Sequence, residues 1–467
     1  MLIDVSRSIP IPLTAQVASS LRSAISTGAL RPGDEVPSTR ELARRSGVSR
    51  GTVVTAYDQL ISEGYLTASQ GAPTRVNPAL ADTAPDPRAP QPGHHPQKAR
   101  PTPGARQRPA AKPTISLKPS SGHAGAIRPA AWRQAWREAA SEPGIVTEAS
   151  GQTELRDAIA EHLRMGRGLG VDKHDVVVTG GTREGLLLVL MAVAQGRTLR
   201  VGVEDPGHPG LRNVIPLTGH KMVPCAVDDA GVDVQALPED LDALLVTPSY
   251  QYPLGASMPA SRRSTLLEWA AANGTVIIED DFNAELRYRT TPLPPLAALG
   301  TGAQVVTLGT FTTLLNRAVA AGYVATSSPL AENVRQTRAV LGMPVAAVTQ
   351  LAIAHLLRNG HVRRNTKAVH NRLAKRRSIV AAKIVPALTA RGAAVTEMEG
   401  SNGVDLAVAF DSPADRDRYA RALAAHGIES GRLDTLWSGR DDGLIVSFAH
   451  LSEPDFNQVL EIMSSGI

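Results

Sequence analysis

Residues 79–114 carry no hydrophobic periodicity, and this gap limits what the 467-residue chain can fold into more than any motif does. The tract runs from Ala81-Asp82-Thr83-Ala84-Pro85 to Ala111-Lys112-Pro113 and is rich in Pro, Ala and basic residues. Such a composition cannot bury enough apolar surface to offset the conformational entropy of folding. Its prolines favour an extended, semi-stiff tether. Separately folded parts are therefore expected on either side, over 1–78 and 115–467. Between 81 and 118 the chain holds seven Lys/Arg against two Asp, a balance suited to a solvated tether or to auxiliary contact with DNA phosphates.

Hydrophobic residues make up 42% of the chain, enough for globular cores. No apolar run approaches the roughly 18 residues of a membrane span. The start, Met1-Leu2-Ile3-Asp4-Val5-Ser6-Arg7, lacks the apolar segment of a signal peptide. The single cysteine, Cys225, excludes an internal disulfide and a cysteine-based zinc site, and reads as a small core residue. These features point to a bacterial cytoplasmic protein with no membrane partner and no metal. The net charge of +5 is modest for this length, so the placement of charge matters more than its sum.

In the first part, Leu13, Val17, Leu21 and Ile25 recur at helical spacing and predict a helix over about 12–27. Pro32-Gly33 breaks the chain. Ser38 then reads as the N-cap of a second helix, with Glu41 completing a capping box. Gly47-Val48-Ser49 forms a turn, and Ser49 caps a third helix from Arg50 to about Glu63, with Val53, Tyr57, Leu60 and Ile61 inward. Gly64-Tyr65-Leu66 and Arg75-Val76 flank a hairpin tip at Ser69-Gln70-Gly71-Ala72-Pro73. Helix, tight turn, helix and wing is a DNA-binding arrangement, in which the third helix enters the major groove by its N-terminal end. Candidate DNA-binding residues are Arg40, Ser49, Arg50, Thr52, Gln70 and Gly71; the alternative is a helical dimerisation module. The segments Leu30-Arg31-Pro32-Gly33-Asp34, Val36-Pro37-Ser38-Thr39-Arg40-Glu41-Leu42-Ala43 and Val48-Ser49-Arg50-Gly51-Thr52-Val53 resemble the winged helix of the GntR regulators, over about residues 8–77. That resemblance implies binding of double-stranded operator DNA as a dimer.

The second part alternates short β-rich runs with helices, which predicts an α/β fold: a mostly parallel sheet covered on both faces, with ligand at the strand carboxyl ends. The expected strands are Val176–Thr179, Leu199–Val203, Ala243–Val246, Thr275–Glu279 and Val305–Leu308. Gly180-Gly181-Thr182-Arg183 follows the first and opens a helix, a possible phosphate cradle. A large subdomain is expected over about 140–325 and a smaller α+β one over about 326–467. Within the latter, Arg363, Arg364, Arg372, Lys375, Arg376 and Arg377 mark a basic helix, read as a solvated face or as a DNA contact.

Glu204-Asp205-Pro206-Gly207, Thr247-Pro248-Ser249-Tyr250-Gln251-Tyr252-Pro253-Leu254-Gly255, Ile278-Glu279-Asp280-Asp281-Phe282, Gly309-Thr310-Phe311-Thr312-Thr313 and Ala321-Gly322-Tyr323 stand in order. Together they resemble the fold-type-I aminotransferase body of the MocR subfamily of GntR regulators. The resemblance implies a pyridoxal-phosphate (PLP) site and a head-to-tail, domain-swapped homodimer. It also exposes departures. Asp280 matches the aspartate that meets the pyridine nitrogen. Thr313 stands at the Schiff-base lysine, Phe282 at a tyrosine that meets the phenolic oxygen, Ala320 at a phosphate-clamping arginine, His208 at a ring-stacking tyrosine and Val146 at a further tyrosine. Only lysine supplies the amine for that bond, and no Lys lies between Lys221 and Lys367. The degenerate cofactor or effector pocket is thus expected to comprise Gly181, Thr182, Arg183, His208, Tyr250, Asp280, Phe282, Thr312, Thr313 and Ala320. Arg183 and Arg317 could restore anion affinity or form salt bridges, and Arg440 lies near where family members bind a substrate carboxylate. Three readings follow: a regulator with a catalytically dead body that dimerises and senses an unknown small-molecule effector; a regulator that keeps PLP non-covalently; and a working aminotransferase, which Thr313 opposes.

Overall fold

The structure, a computed structural model, describes residues 5, 11–69, 72–83, 115–119, 127–141, 148–281, 284, 293–300, 302–315, 319–327, 329–396, 405–438 and 442–465. Two compact units divide the chain, 1–107 and 108–467. Gln70, Gly71, Val146, Phe282, Arg317 and Arg440, all singled out above, lie outside the described residues, as does most of the proline-rich tract.

The first unit contains α1 (Leu13–Ser26), α2 (Thr39–Ser46) and α3 (Arg50–Ser62), followed by β1 (Leu66–Thr67) and β2 (Arg75–Val76). Val17, Leu21, Leu42, Val53, Leu60, Leu66 and Val76 share one core. β1 and β2 pair antiparallel, with Leu66 opposite Val76. The Ser38 hydroxyl accepts the Glu41 N–H at 3.3 Å and the Ser49 hydroxyl accepts the Thr52 N–H at 3.1 Å, so both predicted caps form. The capping box does not close. The Glu41 carboxylate turns instead to Arg44 and Arg45 on its own helix, two cations at the favoured spacing. Gly47 ends α2 in the left-handed region at φ 65°. The Tyr57 hydroxyl donates to the Pro37 carbonyl at 2.6 Å and ties α3 to the approach to α2.

The second unit runs β3 (Ile115–Ser116), α4 (Pro129–Ala139), α5 (Thr153–Arg167), β4 (Val176–Thr179), α6 (Thr182–Ala194), β5 (Arg200–Asp205), α7 (Pro209–Arg212), α8 (Val214–Leu217), β6 (Lys221–Asp228), β7 (Gly231–Val232), β8 (Ala243–Val246), α9 (Ala260–Asn273), β9 (Val276–Asp280), β10 (Val305–Thr310) and β11 (Gly322–Thr326). It continues through α10 (Leu330–Leu341), α11 (Ala347–Arg358), α12 (His361–Thr389), β12 (Ala394–Thr396), β13 (Asp405–Ala409), α13 (Pro413–Ala425), β14 (Ile428–Glu429), β15 (Gly431–Arg432), β16 (Gly443–Ser447) and α14 (Glu453–Ser465). The large sheet has the order β4-β11-β10-β9-β8-β5-β6-β7. From β10 to β6 the neighbours are parallel. β11 runs antiparallel to both β10 and β4, and β7 is antiparallel to β6. Strand alternation puts Val177, Ile278 and Leu308 under α6 and α10, while Val176 and Val178 face α5 and α11, so helices cover both faces.

The smaller sheet, β12-β13-β16-β15, is antiparallel and packs with the second half of α12, α13 and α14. The boundary expected at about 326 falls between β11 and two helices that pack with the large sheet. Leu330 and Val334 of α10 join the α6 core, and Ile353 and Leu356 of α11 join the α5 core, so both helices belong to the large subdomain. Conversely, β3 pairs parallel with β14 and Leu117 enters the small core. The basic helix is also not uniformly solvated. Arg376 is buried, donates to the carbonyls of Phe448 at 2.9 Å and Leu451 at 2.8 Å, and pairs with Glu453. Among the described residues no helix is long and apolar enough to cross a membrane.

Candidate functional site

In the first unit the N-terminal ends of α2 and α3 present Arg40, Ser49 and Arg50 to solvent. Ser49 and Thr52 also serve the fold: their hydroxyls lie 2.8 Å apart at the start of α3. That leaves Arg40 and Arg50 as the long, exposed cations beside a helix N-terminus, where backbone N–H groups favour phosphate.

In the second unit, four parallel strands end along one edge of the large sheet, β5 at Asp205, β8 at Val246, β9 at Asp280 and β10 at Thr310. Leu308 stands opposite Asp280, so Asp280 and the turn after β10 leave the sheet side by side. Asp280 is buried, and so is Thr313 within that turn. The Thr312 N–H donates to the Thr310 hydroxyl at 3.1 Å, and Asn365 of α12 donates to the Leu314 carbonyl at 2.8 Å, which fixes the turn. Position 313 thus offers a hydroxyl, which cannot condense with an aldehyde to an imine. Ala320 is held at φ 44°, a left-handed conformation costing an alanine roughly 1–2 kcal/mol.

The start of α6 meets β11 closely. A methyl group on Gly322 would lie 2.9 Å from Gly181 Cα and 2.4 Å from the Gly309 carbonyl oxygen, so only glycine lets these backbones approach. Gly180 donates its N–H to Glu184 Oε2 at 3.0 Å, and Arg338 pairs with the same carboxylate. The mouth of α6 therefore already holds an anion of its own. On the other side of Asp280, Arg167 of α5 is paired with Asp281 at 2.8 Å, both buried, and donates to Ser249 Oγ at 3.2 Å. Glu279 points the opposite way along β9. Burial, then the charge of Asp281, pushes its carboxyl up to about 8, and it accepts the Leu296 N–H at 2.8 Å.

A cavity of about 500 Å³ lies beside this edge, and residues from both subdomains line it. Arg183 and His208 come from the large subdomain; Asp405, Glu429 and Arg432 come from the small one; Lys118 follows β3. Burial, then the nearby Arg183 cation, holds the His208 imidazole down to about 4, so the ring is neutral near pH 7. Its centroid is 5.3 Å from that of Tyr252. A methyl group on Gly210 would sit 2.4 Å from an Arg183 nitrogen and 2.7 Å from His208 Cε1, which shows how closely these groups converge. Burial drives Tyr252 well above the ordinary phenol range, helped by the charge of Asp405. Asp405 is itself pushed up to about 6 by burial, partly offset by a hydrogen bond from Ser447. Its Oδ1 has no partner among the described residues.

Of the residues expected to form a pocket, Arg183 and His208 line this cavity, whereas Gly181, Thr182, Tyr250, Asp280, Thr312, Thr313 and Ala320 lie outside its lining. Tyr250 is buried in an apolar cluster with Tyr252, Leu433, Leu436 and Ile445 that joins the subdomains. Lys118, Tyr252, Asp405 and Arg432 were missed, because three of them belong to the small subdomain's layer and carry no local motif. Lys118 brings an amine to the cavity wall from far upstream of position 313, but it is engaged by Glu429.

Comparison with known proteins places these parts. Residues 13–76 match the family described as bacterial regulatory proteins, gntR family, and residues 120–408 match aminotransferase class I and II. The chain is 39% identical to the HTH-type pyridoxine biosynthesis transcriptional regulator PdxR of Corynebacterium glutamicum, covering 98% of this chain and 96% of that one. It is 28% identical to the probable rhizopine catabolism regulatory protein MocR of Rhizobium meliloti, over 98% and 94% of the two chains. The fold resembles an archaeal alanine:glyoxylate aminotransferase at TM-score 0.66 and 20% identity, covering 75% of this chain and 90% of that one.

Proposed function

The chain belongs to the MocR subfamily of GntR transcription regulators, a winged helix joined to an aminotransferase-like body, and from this premise we propose that the body has no enzymatic role and serves as dimerisation and effector-sensing module. The protein is a DNA-binding transcription regulator. The observation that carries this reading is Thr313, buried in the turn that follows β10, the strand paired with the end of β9 at Asp280. PLP, when bound through an imine to lysine, supplies an electron sink for aminotransferase chemistry. The residues present do not fit that attachment. Position 313 has no amine, position 320 has a methyl group in place of a guanidinium, and Glu184 already accepts an N–H at the mouth of α6.

The effector site in this reading is the cavity beside His208. Arg183 stands on one wall and, on another, the Asp405 oxygen that has no partner among the described residues. Because both subdomains build it, a ligand there would favour one arrangement of the body over another, and could act only through that difference in affinity. A second reading keeps a vitamin B6 compound as a non-covalent ligand. It rests on the buried Asp280 at the end of β9 and on the pyridoxine-linked name of the Corynebacterium glutamicum relative. The DNA-binding assignment is tested by selecting bound genomic fragments and repeating the gel shift with Arg50→Ala at fixed salt. The variant is expected to lose about 1–3 kcal/mol of affinity; unchanged affinity would contradict the placement of α3 in the groove.

A further inference from the structure

We infer that the N-terminal half of α12, together with Arg128 before α4 and Arg358 at the end of α11, forms a second DNA-contacting surface that grips backbone phosphates without reading bases. The 29-residue α12 carries eight Lys/Arg and no Asp or Glu. Arg363, Arg364 and Lys367 are exposed on it, and Arg128 is exposed beside its start. Arg364 donates to the Asn359 carbonyl at 2.8 Å and lies 3.0 Å from His361 Nδ1, so its contacts carry no countercharge. The imidazole of His361 is held below its ordinary value, first by burial and then by Arg364, His355 and Arg128, which brings α4, α11 and α12 into one positive field.

Two acids of the neighbouring helices are already engaged. Glu138 of α4 holds His355 at 2.7 Å, and Glu453 of α14 holds the buried Arg376. Like charges gathered without counterions repel one another, and a polyanion relieves that repulsion. A second copy of the same face would aggravate it. DNA is the polyanion the winged helix already holds, and covalent connection raises its effective concentration at the body. Phosphate contacts position a protein on the duplex and add affinity that is independent of sequence.

The test uses the full chain and a long mixed-sequence duplex, so no operator need be known. Arg363→Gln, Arg364→Gln and Lys367→Gln are combined, and binding is measured from 50 to 200 mM salt. Neutralising three phosphate contacts should lower the slope of log affinity against log salt by about 2.7, so the wild-type advantage should shrink about 40-fold across that range. Replacing Arg363 and Arg364 with Lys should keep the slope, because phosphate reads charge here and not fork geometry. An unchanged slope in a variant with the parental thermal melt overturns the inference. So does a slope change accompanied by an altered oligomeric state, since the cations would then face another copy of the chain.

Discussion

Asp405 is a carboxylate whose cost depends on pH. Burial lifts its pKa to about 6, and the Ser447 hydrogen bond offsets only part of that. A folded-state value above the unfolded one means that folding favours the protonated form. The associated stability is present below about pH 4 and is lost as pH rises through 6. Asp405→Asn removes the titration. Chemical unfolding should find the variant more stable than the parent by about 2–3 kcal/mol at pH 8, with the difference vanishing near pH 4. An offset independent of pH would show that the carboxyl's effect lies in packing and not in burial of charge. His208 runs the other way: its depressed value weakens the fold as pH falls below the ordinary imidazole range. The neutral ring thus opposes Asp405 between about pH 4 and 6, and the variant isolates one from the other.

At the scale of elements, the small subdomain is pinned to the large one by a short latch. Arg212 of α7 pairs with Asp205 at 2.9 Å and donates to the Leu436 carbonyl at 2.7 Å and Ser438 Oγ at 3.2 Å. The Ser438 N–H returns to Asp205 at 2.9 Å, and the Gly207 N–H meets Leu436 at 3.1 Å. Arg212→Ala strands a mostly buried carboxylate and should cost about 3–5 kcal/mol. Hydrogen exchange at the Gly207 and Ser438 amides should accelerate; unchanged protection would mean that the apolar cluster around Tyr250 holds the subdomains alone. The latch was invisible in the sequence, as were the assignment of α10 and α11 to the large subdomain and the burial of Arg376. Each depends on partners more than a hundred residues away or on which face an amphipathic helix turns. The caps at Ser38 and Ser49 and the strands before Gly180 and Asp281 were legible because a few consecutive residues determine them. Glu41 marks the limit of local reading, since two nearby arginines outbid one backbone N–H.

For the whole molecule, a DNA-reading module and an aminotransferase-like body share one chain, and the body's chemistry decides whether it is a catalyst or a sensor. The family establishes the regulator; the residues at 208, 313 and 320 support the sensor. A ligand in the cavity would bias the body as a unit, because Arg183 and Asp405 sit on different subdomains. The choice between catalyst and sensor turns on the amine missing at position 313; Lys118, the one lysine on the cavity wall among the described residues, is half-exposed and ion-paired with Glu429. The most direct test incubates the full-length protein with equimolar PLP, reduces with borohydride, and maps the modified peptides by mass. We expect no stoichiometric pyridoxyl adduct and no imine absorption band. A single, fully modified lysine, at 118 or anywhere else, would contradict the account.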